Sequence, residues 1–286
     1  MIAPNPGIHE GVLEADYHAW NAMSSTVLKL FDRSPAHARE QMLNPSEETA
    51  AKAYGSAIHT AVLEPEEFEK RYILSPFENQ RRLKRDAETW AEFDEGRKGR
   101  AVLRPSEWEG CHEIQEQVYR HPLASKLLTQ AARKELSITW DCPHTGLRCK
   151  ARLDAFTEYA GWTVAVDVKS TASDARRDAW ERAVSTFDYH IQAGFYMNGL
   201  DVLAPMERRW FWIVFEKDAP YGCRVYEIAE GALRLGRRRA DEFMQLYKVC
   251  VDSGEWSNYP TELEIAGLPP WRMSREVEYE DAEESF

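Results

Sequence analysis

Four residues in the stretch Lys134–Lys169, KELSITWDCPHTGLRCKARLDAFTEYAGWTVAVDVK, have the types and spacing for phosphodiester chemistry: Glu135, Asp154, Asp167 and Lys169. Hydrolysing a phosphodiester requires a water made nucleophilic at neutral pH, neutralisation of charge building on the phosphate, and stabilisation of the leaving oxygen. One or two Mg²⁺ ions held by carboxylates supply the first and last, and a lysine close to the attacking water helps with the second or tunes the first. Hard Mg²⁺ or Mn²⁺ takes oxygen ligands and keeps several waters, so two aspartates, a glutamate and a backbone carbonyl form a sufficient set. Exposed strand faces also carry aspartate and lysine without any catalytic role, and the residues by themselves leave both readings open.

Positioning such a set falls to three strands. Leu136, Ile138 and Trp140 alternate with Ser137, Thr139 and Asp141, the period of a half-buried strand, with Glu135 close to its start. In the next strand Leu147, Cys149, Ala151, Leu153 and Ala155 share one parity, which leaves Asp154 on the polar face with Arg148, Lys150 and Arg152. A turn at Tyr159-Ala160-Gly161 leads into WTVAVDVKST, where Asp167 and Lys169 are neighbours because side chains two apart point the same way. Two helices follow, DAWERAVSTF and DYHIQAGFYMNGL, and in the second Gln192 and Tyr196 are four apart on one face. The strands RRWFWIVFEK and CRVYEIA are rich enough in aromatic and β-branched residues to predict burial on both faces, and ALRLGRRRADEFMQLYKVCVDSG reads as a long amphipathic helix.

Upstream the pattern is helical. Serine caps precede TVLKLF and, with Pro35 at the first helical position, AHAREQML; a third helix spans Glu47–Leu63, with small residues that let another backbone pack close. His59 lies on its small, apolar stripe, where a lone histidine is more often a hydrogen-bonded core residue than a ligand. The polar run Gln80–Arg104 has few apolar anchors; part of it can be helical, and it is expected to be the most mobile internal piece.

The formal net charge of −12 looks unfavourable for a nucleic-acid partner, but nine acidic and two basic residues after Ser253 account for −7 of it. Basic residues cluster instead in Gln80–Arg104, eight against five acidic, and in LGRRR. Five cysteines without a CxxC pair fit reduced intracellular thiols better than a disulfide framework. The start MIAPNPGIHEGV lacks the features of a signal peptide and no apolar run approaches a membrane span, so a cytoplasmic location is expected. Without repeats or low-complexity linkers, the chain reads as a single α/β domain over 1–286: a helical part at 16–132, the sheet and its helices at 133–253, and a surface segment with an acidic tail at 254–286.

The combination of Glu135, the TG turn, RLDAF, VDVKST and QAGFY resembles the PD-(D/E)xK nuclease superfamily, in particular the exonuclease branch that includes RecB, lambda exonuclease and RecE. YHAWNAMSSTVLKLFDRSPAHA and YGSAIHTAVLEPEEFEKRYIL look like the RecE C-terminal nuclease domain and its phage or prophage relatives. The resemblance implies a restriction-endonuclease-like core, a mixed and mainly antiparallel sheet flanked by helices, with extra N-terminal helices. It implies Mg²⁺ or Mn²⁺ as cofactor, with Asp154, Asp167, the Val168 backbone carbonyl and His59 as ligands. Lys169 becomes the catalytic lysine, Glu135 a carboxylate near the site, and Gln192 and Tyr196 the QxxxY pair. Leu153 stands where the superfamily name has proline, and the second acid is aspartate. Function would be exonucleolytic cleavage of DNA, 5′ to 3′ from duplex ends, leaving 3′ single strands for a recombinase or annealing protein, in a homo-oligomeric ring. Arg148, Lys150 and Arg152 then become candidates for phosphate contacts. Two readings of other classes stand beside it: a DNA-end binding module with a decayed site, and a protein-interaction role in which the acidic tail imitates DNA.

Overall fold

The computed structural model describes residues 1–45, 49–78, 87–172 and 174–268. Before the central stretch come β1 (Gly7–His9), α1 (Glu14–Ala19), α2 (Ser25–Leu28), a 3₁₀ turn (Lys29–Asp32), α3 (Pro35–Leu43), α4 (Ala50–Leu63) and α5 (Pro65–Arg71). β2 (Tyr72–Leu74), α6 (Ala87–Gly96), β3 (Ala101–Leu103), α7 (Pro105–Arg120) and α8 (Pro122–Thr129) lead into the sheet. Its strands are β4 (Arg133–Asp141), β5 (Arg148–Tyr159), β6 (Trp162–Thr171), β7 (Arg208–Glu216) and β8 (Cys223–Glu227), with α9 (Arg177–Thr186) and α10 (Tyr189–Leu203) between β6 and β7, and α11 (Glu230–Ser253) last. The expected proline starts are in place: Ser34 caps α3 by accepting from the His37 N–H, with Pro35 in the first turn.

The six-stranded sheet has the order β1-β4-β5-β6-β7-β8. All neighbours are antiparallel except β6 and β7, which run parallel. A parallel pair needs a crossover, and α9 with α10 supplies it; the Asp-x-Lys strand is therefore followed at once by the helix that carries Gln192. The sheet is covered on both sides. One core joins Trp140, Ala151, Leu153, Trp210 and Trp212 to α2, α10 and α11, and the other joins Ala155, Val164, Val166, Phe211 and Ile213 to α4, α7 and α8. This is the mixed, mainly antiparallel sheet flanked by helices that the resemblance implied.

One expectation is corrected. β7 is buried on both faces, but β8 is half-exposed, because it is the last strand of the sheet. Within Gln80–Arg104, positions 80–86 lie outside the described residues; the remainder folds into α6 and into β3, which pairs in parallel with β2. The N-terminal residues before Ser24 also contribute structure, with β1 adding to the β4 edge. After α11, Trp256 packs against Phe31 and Tyr247, while the acidic terminus beyond Leu268 lies outside the described residues. All five cysteines are free, and no helix among the described residues is long and apolar enough to cross a membrane.

Candidate active site

The site sits where the sheet forks. β5 and β6 pair from Tyr159 opposite Trp162 as far as Ala155 opposite Val166 and then part, β5 continuing beside β4 and β6 beside β7. Asp154 and Asp167 are the first residues past the last pair. Asp154 holds the fork open from one side, its Oδ2 accepting the Val168 N–H at 2.6 Å. The alternation read from sequence also breaks here. Leu153 packs in one core and Ala155 in the other although they share a parity, so the β4–β5 ladder turns over at Asp154. The opposite strand turns with it: Glu135, which falls between the pairs Lys134–Ala155 and Leu136–Leu153, takes the left-handed conformation with φ 49°. For a glutamate that backbone costs of order 1 kcal/mol, held here by the paired residues on either side.

The turnover brings together side chains from both layers. His59, on the face of α4 toward the sheet, has Nδ1 4.0 Å from Asp154 Oδ2. His59, Glu135 and Asp154 each offer a ligand atom, and the three atoms lie within 4.8 Å of one another. Asp167 is 3% exposed, and its Oδ1 accepts from Lys169 Nζ at 2.7 Å and from Gln192 Nε2 at 3.0 Å. Its Oδ2 lies 2.6 Å from the same ammonium but takes no well-aligned hydrogen bond. A buried carboxylate oxygen in that state, beside an oxygen-rich cluster, suits a hard cation.

Crowding the acids has an electrostatic cost. Burial, then the charge of Asp154, pushes the Glu135 carboxyl up to about 8, against the pull of Arg152. Burial likewise pushes Asp167 up to about 6, with Lys169 pulling down and Asp154 pushing up. Burial would lower the Lys169 ammonium, but the charges of Asp167 and Asp154 outweigh it and hold Lys169 above its ordinary range. A lysine so placed stays charged, and the carboxylates gain most from a bound cation.

Gln192 reaches Asp167 because α10 is pinned at its first turns. A Cβ on Gly236 would overlap the His190 carbonyl, and one on Gly194 would overlap the backbone of Gly236 and Arg237, so α10 and α11 cross in direct backbone contact. The sequence signal was available: glycine inside two helices, where each costs about 1 kcal/mol relative to alanine, implies a packing reason. Tyr196 is buried beside the same cluster, close enough for the charges of Asp167, Lys169 and Asp154 to act on its hydroxyl. Its ring is 7% exposed, set edge-on to Trp210 at 5.8 Å, and its hydroxyl bonds to Ser25 and Tyr17. It is a core residue beneath the site.

The three cations of β5 are also placed differently from expectation. Lys150 donates to the backbone carbonyls of Tyr17, His18 and Trp20 at 2.8, 3.1 and 2.8 Å. Arg152 donates to the Val12 carbonyl and the Ser137 hydroxyl, and stands 3.7 Å from Glu135. Arg148 bonds the Pro4 carbonyl and pairs with Asp141 at 2.6 Å. These donors clamp the N-terminal segment to the sheet rather than facing solvent as a phosphate-binding surface, because the carbonyls they meet lie outside the β1–β4 ladder and take the cations as donors. The arginines of LGRRR are likewise engaged: Arg237 pairs with Asp201, Arg238 with Glu242, and Arg239 with Asp32 and Glu242. Sequence inspection passed over Lys29 and Tyr189, whose ring has Lys29 Nζ at 5.5 Å and Lys169 Nζ at 5.3 Å.

A crystal structure called "Putative exonuclease" from Eubacterium rectale shares the fold at a TM-score of 0.57, with 14% identity over 91% of this chain and 96% of that one. Another, of SSO0001, reaches a TM-score of 0.29 at 14% identity, covering 67% of this chain and 86% of the other, too slight a likeness to bear on the fold. No curated protein matches the chain. The family described as "PDDEXK-like domain of unknown function (DUF3799)" matches residues 24–267, a span that holds the fork, both aspartates, the lysine and the α10 glutamine. The chain belongs to that PDDEXK-like family.

Proposed function

We propose that the chain is a divalent-metal-dependent deoxyribonuclease that acts from DNA ends. The observation that carries this reading is the convergence of Asp154, Asp167, Lys169 and Gln192 at one fork of the sheet, with His59 of α4 and Glu135 of β4 beside Asp154. Asp154, Asp167, the Val168 carbonyl and His59 would hold Mg²⁺ or Mn²⁺, with Glu135 beside them; oxygen ligands plus one imidazole suit either ion. The ion, when bound, supplies Lewis acidity toward phosphate and a water of lowered pKa. Gln192 fixes the orientation of the Asp167 carboxylate, and Lys169, kept charged by its two acidic neighbours, places a cation beside the reacting phosphate. Glu135, beside His59 and Asp154, would carry a proton or offer a further ligand oxygen.

The finer assignments rest on the resemblance to RecE. They are 5′ to 3′ digestion of duplex ends, production of 3′ single strands for a recombinase or annealing protein, and a ring of identical chains around DNA. End-labelled duplexes with 5′-phosphate or 5′-hydroxyl ends, and the matching single strands, incubated with Mg²⁺, Mn²⁺ or neither, test all but the ring. Nucleotide release with metal, lost at least 100-fold in Lys169→Ala and Asp167→Asn, is expected. A wild-type protein that cleaves none of these substrates with either metal overturns the enzyme reading.

A further inference from the structure

At the corner between α9 and α10, Phe187 ends one helix and Asp188, in the left-handed conformation with φ 53°, begins the next. The bend turns the Phe187 ring outward, where it is 56% exposed. Single exposed apolar residues are ordinary and need no explanation, but this one has three further properties. Its backbone is tied down: Lys29 Nζ donates to the Phe187 carbonyl at 2.8 Å. Its ring is the outermost of a series that begins in the core, with Trp180 stacked on Tyr189 at 5.5 Å and Tyr189 beside Phe187 at 5.6 Å. The middle ring of that series is the one flanked by the Lys29 and Lys169 ammonium groups. An aromatic surface is thus presented to water next to two cations, and the two separations place it no more than about 11 Å from Lys169 Nζ.

We propose that Phe187 is a stacking platform for an unpaired nucleobase of the substrate strand, with the adjacent cations drawing the phosphate backbone toward the fork. This rests on the nuclease reading and adds to it a reason for end preference. The rise per nucleotide in a stacked strand is about 3.4 Å, so the base on Phe187 belongs to a nucleotide within roughly three of the one being cleaved. A base inside a duplex is already stacked on both faces and offers nothing to Phe187. A terminal or frayed base does, and the strand reaches Lys169 as single-stranded nucleotides. Aromatic platforms of this kind tolerate any sequence, because every base has a π-face.

The test uses the full chain and oligonucleotides carrying 2-aminopurine at successive positions from each end, bound in Ca²⁺ so that cleavage does not intervene. The fluorescence should be quenched at one or two adjacent positions in the wild type. Phe187→Ala should abolish that quenching and weaken binding about 5- to 150-fold, the range equivalent to the 1–3 kcal/mol of one base–aromatic stack. Phe187→Trp should retain both. An abasic nucleotide at the quenched position should weaken wild-type binding by the same factor and Phe187→Ala no further. A wild type that cleaves DNA while Phe187→Ala keeps its quenching profile and affinity overturns the platform alone, as do abasic and alanine losses that add. A wild type that neither binds nor cleaves DNA overturns the platform together with the nuclease reading.

Discussion

Glu135→Gln removes one acid from the crowded fork while keeping its size. A carboxyl held at about 8 against an ordinary 4.5 means that burial and Asp154 oppose its ionised form in the folded protein. The folded state then binds this proton more tightly than the unfolded state. Stability from this group is complete below the unfolded value and is lost as pH rises toward and through 8. By pH 7 the loss amounts to roughly 3 kcal/mol. Water at the exposed quarter of the side chain and the forfeited pairing with Arg152 trim it, so the net gain from glutamine is on the order of 1–3 kcal/mol. For a chain of this size that corresponds to roughly 2–5 °C in Tm. Thermal unfolding in chelator at pH 5 and pH 8 is the assay. The wild type should be less stable at pH 8 relative to Glu135→Gln, and the two should converge at pH 5. Adding Mn²⁺ at pH 8 should stabilise the wild type more than the variant, since a cation offsets the acid crowding and the variant has lost a ligand. If Glu135→Gln in chelator is no more stable than wild type at pH 8, or gains as much from Mn²⁺, the account of the cluster is wrong.

Other perturbations address the elements that build the site. Gly236→Ala should cost about 3 kcal/mol or more in denaturant unfolding, because the new methyl meets the His190 carbonyl, and should reduce nucleotide release by displacing α10 and Gln192; an unchanged midpoint would mean that the helices do not cross as described. Lys150→Met removes the ammonium that three carbonyls share, leaving His18 without that donor and Tyr17 and Trp20 with only a backbone N–H, and should loosen residues 1–20, costing roughly 2–4 kcal/mol. Limited proteolysis should then nick the N-terminal segment before the sheet, and an unaltered cleavage pattern would argue against the clamp. His59→Ala should weaken Mn²⁺ binding by at least about 10-fold in calorimetry, and retention of wild-type affinity would remove His59 from the ligand set.

Much of the fold was legible because it depends on local periodicity. Alternation marked β4, β5 and β6 and placed Asp167 beside Lys169, since two residues on one strand face are neighbours whatever surrounds them. Proline and serine at helix starts, and the continuous apolar run of β7, are signals of the same kind. The resemblance to nucleases added His59 and Gln192, which no periodicity could connect to residues far away in the chain.

Tertiary structure decided what depends on two segments meeting. The parity rule extends only while a ladder keeps its face, and at Asp154 it does not: the left-handed Glu135 opposite turns the strands over and makes the fork. A basic stripe on a polar strand face reads identically whether it meets phosphate or backbone carbonyls, and only the path of residues 1–22 shows that Arg148, Lys150 and Arg152 meet carbonyls. Tyr196 and Gln192 share a helical face in the sequence, yet one turn of helix is enough to put the tyrosine in the core and the glutamine on Asp167. Residue types and spacing therefore specify which chemistry is available, while burial and the crossing of α10 with α11 specify which groups reach it, because both are properties of pairs of elements and no single segment encodes them.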